Sequence, residues 1–132
     1  MSYFTKEELS CQHCGAYKFD EEFLKVLNNI REECDFPFVI SSGYRCIEHP
    51  IEASKSRGGA HTTGCAVDVA VSGNKALKVL EVAMKHGVKR IGVNQKGKGR
   101  FIHLDMAEEA FPSPAIWSYG GNLNGSNKEK ES

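Results

Sequence analysis

Three residues of this chain have the type and spacing to hold a divalent cation. The glycine-rich run Gly58-Gly59-Ala60-His61-Thr62-Thr63-Gly64 delivers a histidine, and Asp68 follows seven residues later inside the apolar stretch Ala66-Val67-Asp68-Val69-Ala70-Val71. Valines and alanines suit a strand buried on both faces. A carboxylate among them is costly unless it is paired or binds a metal. Downstream, Phe101-Ile102-His103-Leu104-Asp105 places polar groups at alternate positions of a second short apolar run. Strand side chains alternate between faces, so His103 and Asp105 share a face with Phe101 while Ile102 and Leu104 take the other. If the two strands are neighbours, His61, Asp68 and His103 converge. Two histidines and one carboxylate with an open position make a catalytic-type zinc site.

The chain has five cysteines, an odd number that argues against a fully paired disulfide framework. Cys34 and Cys65 fall in helix and strand contexts and read as small buried hydrophobes. Cys11 and Cys14 form a C-x-x-C with His13 between them, a spacing that suits zinc, a redox pair or a structural turn. No second C-x-x-C completes it, although Cys46 or His49 could add ligands if the loops approach.

These residues need a frame. Thr5 with Glu8 three residues on is a capping-box pattern, which predicts a short helix within residues 3–10. Asp20 caps a helix to Cys34, with Phe23, Leu27, Ile30 and Cys34 at helical spacing and with Glu21 and Glu22 in the positive first turn. Asp35 and Pro37 end it. Phe38-Val39-Ile40 is a strand candidate leading into the turn Ser41-Ser42-Gly43-Tyr44-Arg45, and residues 46–60 read as a long irregular stretch. A strand is expected at Ala66–Val71. Asn74 is the expected cap of a helix to about His86, with Leu77, Leu80 and Met84 as its apolar stripe and Gly87 as its stop. Val88–Val93 and Phe101–Asp105 read as a hairpin across the Gly- and Lys-rich turn 94–99. Ile116-Trp117 is expected to dock on the domain, and the polar tail 120–132 to be disordered. The pattern is α+β: a small mixed or antiparallel sheet packed with a few helices in a single domain, residues 1–119.

Lys plus Arg and Asp plus Glu are equal at 17 each, so no global field draws the protein to nucleic acid or a membrane surface. No apolar run approaches the roughly 20 residues that span a bilayer. The polar, acidic start Met1-Ser2-Tyr3-Phe4-Thr5-Lys6-Glu7-Glu8 is not a secretory signal, so synthesis in the cytoplasm is expected.

Ser42-Gly43-Tyr44-Arg45, then His61-x-x-Gly64-x-Ala66-x-Asp68, then Phe101-Ile102-His103-Leu104-Asp105, resemble the motifs of the zinc D-Ala-D-Ala carboxypeptidase family, whose fold is shared with the signalling domain of hedgehog proteins. The likeness spans roughly residues 5–119, including Pro114-x-x-Trp117, and is closest to the small members common in bacteria and phages. It implies a zinc peptidase that hydrolyses peptidoglycan stem peptides by attack of a metal-activated water, as a D-Ala-D-Ala carboxypeptidase first and an endopeptidase as the variant; a monomer is expected. His61, Asp68 and His103 would be ligands to one zinc ion, and Arg45 would bind a substrate carboxylate or the oxyanion. With no secretory signal, a phage-type protein released at lysis or carried on a virion is expected.

Two positions depart from the family pattern. Gly59 stands where serine is usual, and Arg100 stands three positions before His103, where many members carry an acidic general base. Arginine cannot take a proton at neutral pH. Asp105, on the face of His103, is then either the substitute base or the group that orients a ligand histidine. Arg100 also favours an alternative of another class, a non-catalytic zinc-containing module recognising cell wall or a protein partner. Lys55 and Arg57 are candidate contacts for anionic wall polymers, and a cysteine hydrolase pairing Cys65 with His61 is a more distant option.

Overall fold

Helix α2 (Glu21–Cys34) is specified at both ends and along one face. The Asp20 carboxylate accepts from the Phe23 N–H at 2.8 Å, and the helix closes at Asp35 in the left-handed region at φ 63°. Phe23, Leu27, Ile30 and Cys34 are all buried, as their spacing requires. Leu27 and Ile30 are 0% exposed, and burying each contributes about 1.5–3 kcal/mol. The computed structural model describes residues 2–53 and 59–119.

Ahead of α2, the short α1 (Lys6–Leu9) carries the full Thr5/Glu8 capping box. Helix α4 (Gly73–Lys85) packs against α2 and the sheet, but not through the stripe its larger residues suggest. Ala76, Val79, Val82 and Ala83 are buried, whereas Leu77 and Met84 are 64% and 58% exposed. Of the expected stripe only Leu80 packs against the core, partly buried, and the smaller residues of the neighbouring stripe make the buried face. Its N-cap is Ser72, not Asn74.

Among the described residues the sheet has five strands in the order β1-β2-β4-β3-β5: β1 (Ile40–Ser42), β2 (Ala66–Val69), β3 (Arg90–Asn94), β4 (Phe101–Asp105) and β5 (Ala115–Ser118). Every pairing is antiparallel except β3 with β5, so the sheet is mixed. The α+β class follows. β1 begins two residues later than the sequence suggests, because Phe38 turns into the core beside Phe4 and Phe36. The segment expected only to dock, Ile116-Trp117, is a strand, with Trp117 opposite Gly92. The 46–60 stretch is not wholly irregular either. It contains the short α3 (Pro50–Ala53) and leads into a 3-10 turn at Ala60–Thr63.

The sheet's two faces differ in chemistry. Val67, Val69, Ile91, Ile102 and Leu104 point into the main core with α2 and α4. On the other face, Ala60, Ala66, Ala107 and Phe111 form a second, smaller cluster beside the polar residues of β2, β3 and β4.

Candidate metal centre

The β2–β4 ladder sets Asp68 opposite His103, and the β3–β4 ladder sets Gly92 opposite His103 and Arg90 opposite Asp105. Alternation sends Asp68, His103, Asp105 and Arg90 to the face away from α2 and α4. His61 comes from the 3-10 turn, which ends at Gly64 at φ 79°. A Cβ there would stand 2.1 Å from the Lys18 carbonyl oxygen, so only glycine lets the turn close against the chain before α2. Gly43 also has a steric reason, since a Cβ would meet the Leu9 carbonyl oxygen at 2.7 Å.

The hydrogen bonds fix how the imidazoles present themselves. His61 Nδ1 lies 2.8 Å from the Gly43 carbonyl oxygen, which can only accept, so Nδ1 carries the hydrogen and Nε2 offers a lone pair. That Nε2 is buried, has no hydrogen-bond partner, and lies 3.3 Å from Asp68 Oδ1. His103 Nε2 lies 2.6 Å from Asp105 Oδ2 and Nδ1 lies 2.9 Å from the same Asp68 Oδ1. Donation from Nε2 to Asp105 leaves Nδ1 with the lone pair that a cation would need. The two rings stand edge to face with centroids 5.0 Å apart. Two imidazole nitrogens and a carboxylate oxygen, within 4.8 Å of one another and all buried, fit a zinc ion.

The electrostatics agree with that fit. Burial holds the His61 imidazole below its ordinary pKa, and so neutral, as a ligand must be. Burial alone would raise Asp68, but the two histidines outweigh it and hold the carboxylate well below its usual range. Burial would also lower His103, yet the hydrogen bonds to Asp105 and Asp68 prevail and push it up. A proton and a cation therefore compete for the same point between His103 and Asp68.

Asp105 is fully buried and both its oxygens are engaged. Oδ2 takes the His103 Nε2 hydrogen, while Oδ1 accepts from Arg90 Nε at 2.6 Å and from the Ala107 N–H at 3.0 Å. It sits across the imidazole from Asp68, the placement of a group that orients a ligand. Arg90, 0% exposed, donates Nη1 to the Pro112 carbonyl at 2.6 Å and lies over the rings of Phe111 and Trp117. Sequence reasoning passed over Arg90. The one local signal was Arg90 entering the apolar run that follows it, and its pairing with Asp105 is visible only in the strand register. Trp117 packs its ring 5.3 Å from that of His103.

Arg45 approaches from the segment after β1. Its Nε donates to Ser42 Oγ at 3.0 Å, its Nη2 stands 3.8 Å from Asp68 Oδ2, and its backbone N–H donates to the His61 carbonyl at 3.1 Å. Arg100 is exposed, with Nε donating to the Gly97 carbonyl in the β3–β4 turn. Cys65 packs against the main core, and burial pushes its thiol up, which is the wrong direction for a nucleophile. Lys55 and Arg57 lie outside the described residues, as does the 120–132 tail.

A two-histidine, one-carboxylate cluster on a small mixed sheet defines a metallopeptidase-type centre. Residues 2–105 match the family model described as Peptidase M15, and the chain belongs to that family. The family is zinc-dependent. Comparisons with curated proteins and with solved structures return no match.

Proposed function

We propose that the protein is a zinc peptidase that hydrolyses peptidoglycan stem peptides, acting as a carboxypeptidase at a terminal D-Ala-D-Ala. The observation that carries the metallopeptidase reading is the buried, unpartnered His61 Nε2 aimed at Asp68 Oδ1 beside His103 Nδ1. Zinc held by these residues supplies activation of water near neutral pH and polarisation of the scissile carbonyl. Around it, Gly43 fixes the His61 ring, and Asp105 with Arg90 fixes the His103 ring. Arg45, with its side chain 12% exposed beside Asp68, is placed to pair with a substrate carboxylate or with charge developing on the cleaved carbonyl. Exopeptidase action is the first choice because a guanidinium at the metal suits a chain end.

The test is release of D-alanine from a stem pentapeptide by zinc-loaded protein. Activity is expected on the free acid, with loss in His61→Ala. A second reading is favoured by Arg100 at the position of the usual acidic residue: a non-catalytic module of the same fold that binds wall peptide. Full zinc occupancy with no cleavage of pentapeptide or of cross-linked wall would overturn the enzyme and support that module. The place of action would then be the cell wall, with release at phage lysis or carriage on a virion as the proposed route.

A further inference from the structure

The molecule holds a second cluster of metal-ligating side chains, away from the sheet face that carries His61, Asp68 and His103. The sulfurs of Cys11, Cys14 and Cys46 lie within 4.8 Å of one another. We propose that these three cysteines bind a structural zinc ion that braces the segment carrying Arg45.

The local geometry is that of a metal knuckle. After Cys11 the chain turns sharply: the Gly15 N–H donates to the Cys11 carbonyl at 2.7 Å, and the Cys11 N–H donates to the Ala16 carbonyl at 2.9 Å. Gly15 sits at φ 78°, a conformation that glycine adopts without strain. The turn folds Cys14 back towards Cys11, and Cys46 arrives from a loop 35 residues away in sequence. The Cys46 N–H points at Cys11 Sγ at 3.3 Å, a donor that stabilises a thiolate.

The sulfur spacing selects the chemistry. Cys11 Sγ and Cys46 Sγ are 3.6 Å apart. Two thiolates at ~2.3 Å from a tetrahedral zinc stand roughly 3.8 Å apart, whereas a disulfide closes to about 2.05 Å. The cysteines are free. A redox C-x-x-C would pair Cys11 with Cys14, but the 3.6 Å approach is to Cys46. Three thiolates leave one tetrahedral position, open to water or to a further side chain.

The position gives the ion a task. Cys46 follows Arg45 directly, and the segment before it is already tied to the end of α1, just ahead of the Cys11 turn, by the Tyr44 N–H, which donates to the Leu9 carbonyl at 3.0 Å. The same segment supplies the Gly43 carbonyl that orients His61. An ion across Cys11, Cys14 and Cys46 would hold both ends of this connection. Metal affinity at such a junction becomes folding free energy.

The test is zinc per chain by elemental analysis on full-length protein purified under reducing, zinc-replete conditions. Two ions are expected, falling to one in His61→Ala, to one in Cys14→Ser and to none in the double variant. Cobalt substitution of His61→Ala gives an independent readout that needs no change at the cysteines: intense thiolate-to-cobalt charge-transfer absorption is expected. Zinc content unaffected by Cys14→Ser, or a cobalt spectrum without thiolate bands, would overturn the proposal. So would an intact mass lighter by two hydrogens under these conditions, with peptide mapping that places the disulfide among Cys11, Cys14 and Cys46. None of these readouts depends on peptidase activity.

Discussion

His103 and Asp105, two residues apart on one strand, are joined ring to carboxylate at 2.6 Å, and the second oxygen of that carboxylate is held by the buried Arg90. The chain Arg90–Asp105–His103–Asp68 runs across β3, β4 and β2 and fixes which imidazole nitrogen faces the metal position. Partners of this kind typically cost about 10–100-fold in metal affinity when removed. Asp105→Asn is therefore expected to weaken zinc binding by about that factor, read by competition with a chromogenic chelator. A proton-transferring base would instead lose turnover at unchanged zinc affinity, and that outcome would restore the other role for Asp105.

The same chain makes Arg90 a stability residue. Arg90 and Asp105 are each 0% exposed, so removing the guanidinium leaves a buried carboxylate with half its compensation. Breaking such a pair from one side costs about 3–5 kcal/mol. Arg90→Leu should lower the urea midpoint accordingly, and the double change Arg90→Leu with Asp105→Leu should recover part of the loss. A single variant as stable as the parent would show that Asp105 does not need the arginine.

Gly92 is a position where size alone decides. Its strand neighbours place Trp117 on one side and His103 on the other, and an added Cβ would stand 2.6 Å from Trp117 Nε1 and 2.9 Å from the Tyr119 hydroxyl. Overpacking of this kind costs typically about 1–3 kcal/mol. Gly92→Ala is expected to destabilise by that amount in chemical denaturation and to move the indole off the His103 ring, visible as a change in tryptophan fluorescence. An unchanged midpoint and emission would mean that Trp117 is free to yield.

Away from the site, Glu33 on α2 binds Lys85 and His86 at the end of α4, with His86 Nε2 at 2.9 Å from Oε1. The hydrogen bond from Lys85, then that from His86, holds the Glu33 carboxyl below its ordinary pKa. A depressed carboxyl contributes stability above its unfolded pKa, about 4.3, and that contribution is lost as pH falls through the lower folded value. Glu33→Gln should therefore narrow its stability gap to the parent as pH drops below about 4.3, followed by thermal melts across that range. A gap independent of pH would assign the contact no electrostatic role.

The convergence of His61, Asp68 and His103 was legible because each element left a local mark: a glycine-bounded histidine, a carboxylate among valines, and a histidine at an alternating position of an apolar run. The face of α2 was legible for the same reason, with one apolar stripe and a cap. Where two solutions satisfy the same local pattern, the sequence does not choose. Helix α4 has two apolar stripes and buries the smaller, so Leu77 and Met84 are solvent-facing. Arg90 and Gly92 matter only through strand register, and β5 gains its place by parallel pairing with β3, a relation no local window contains. The nearness of Cys46 to the Cys11–Cys14 turn likewise depends on how two loops meet.

Arg45 separates two ways of using a cation at a peptidase site. Its guanidinium stands 3.8 Å from Asp68 Oδ2 and is held in place by Ser42 Oγ. If it receives the carboxylate of a substrate chain end, Arg45→Ala should raise KM for the free-acid pentapeptide and abolish the preference over its C-terminal amide. If it offsets charge on the cleaved carbonyl, kcat should fall by about 10²–10³-fold for both substrates, the magnitude typical of a lost oxyanion donor. Arg45→Lys keeps the charge but not the planar fork, so a poor rescue would point to bidentate pairing with a carboxylate. Zinc content should match the parent in both variants, because no ligand atom is altered. Equal kinetics of parent and Arg45→Ala on both substrates would remove Arg45 from the site and leave its contact with Asp68 as a structural one.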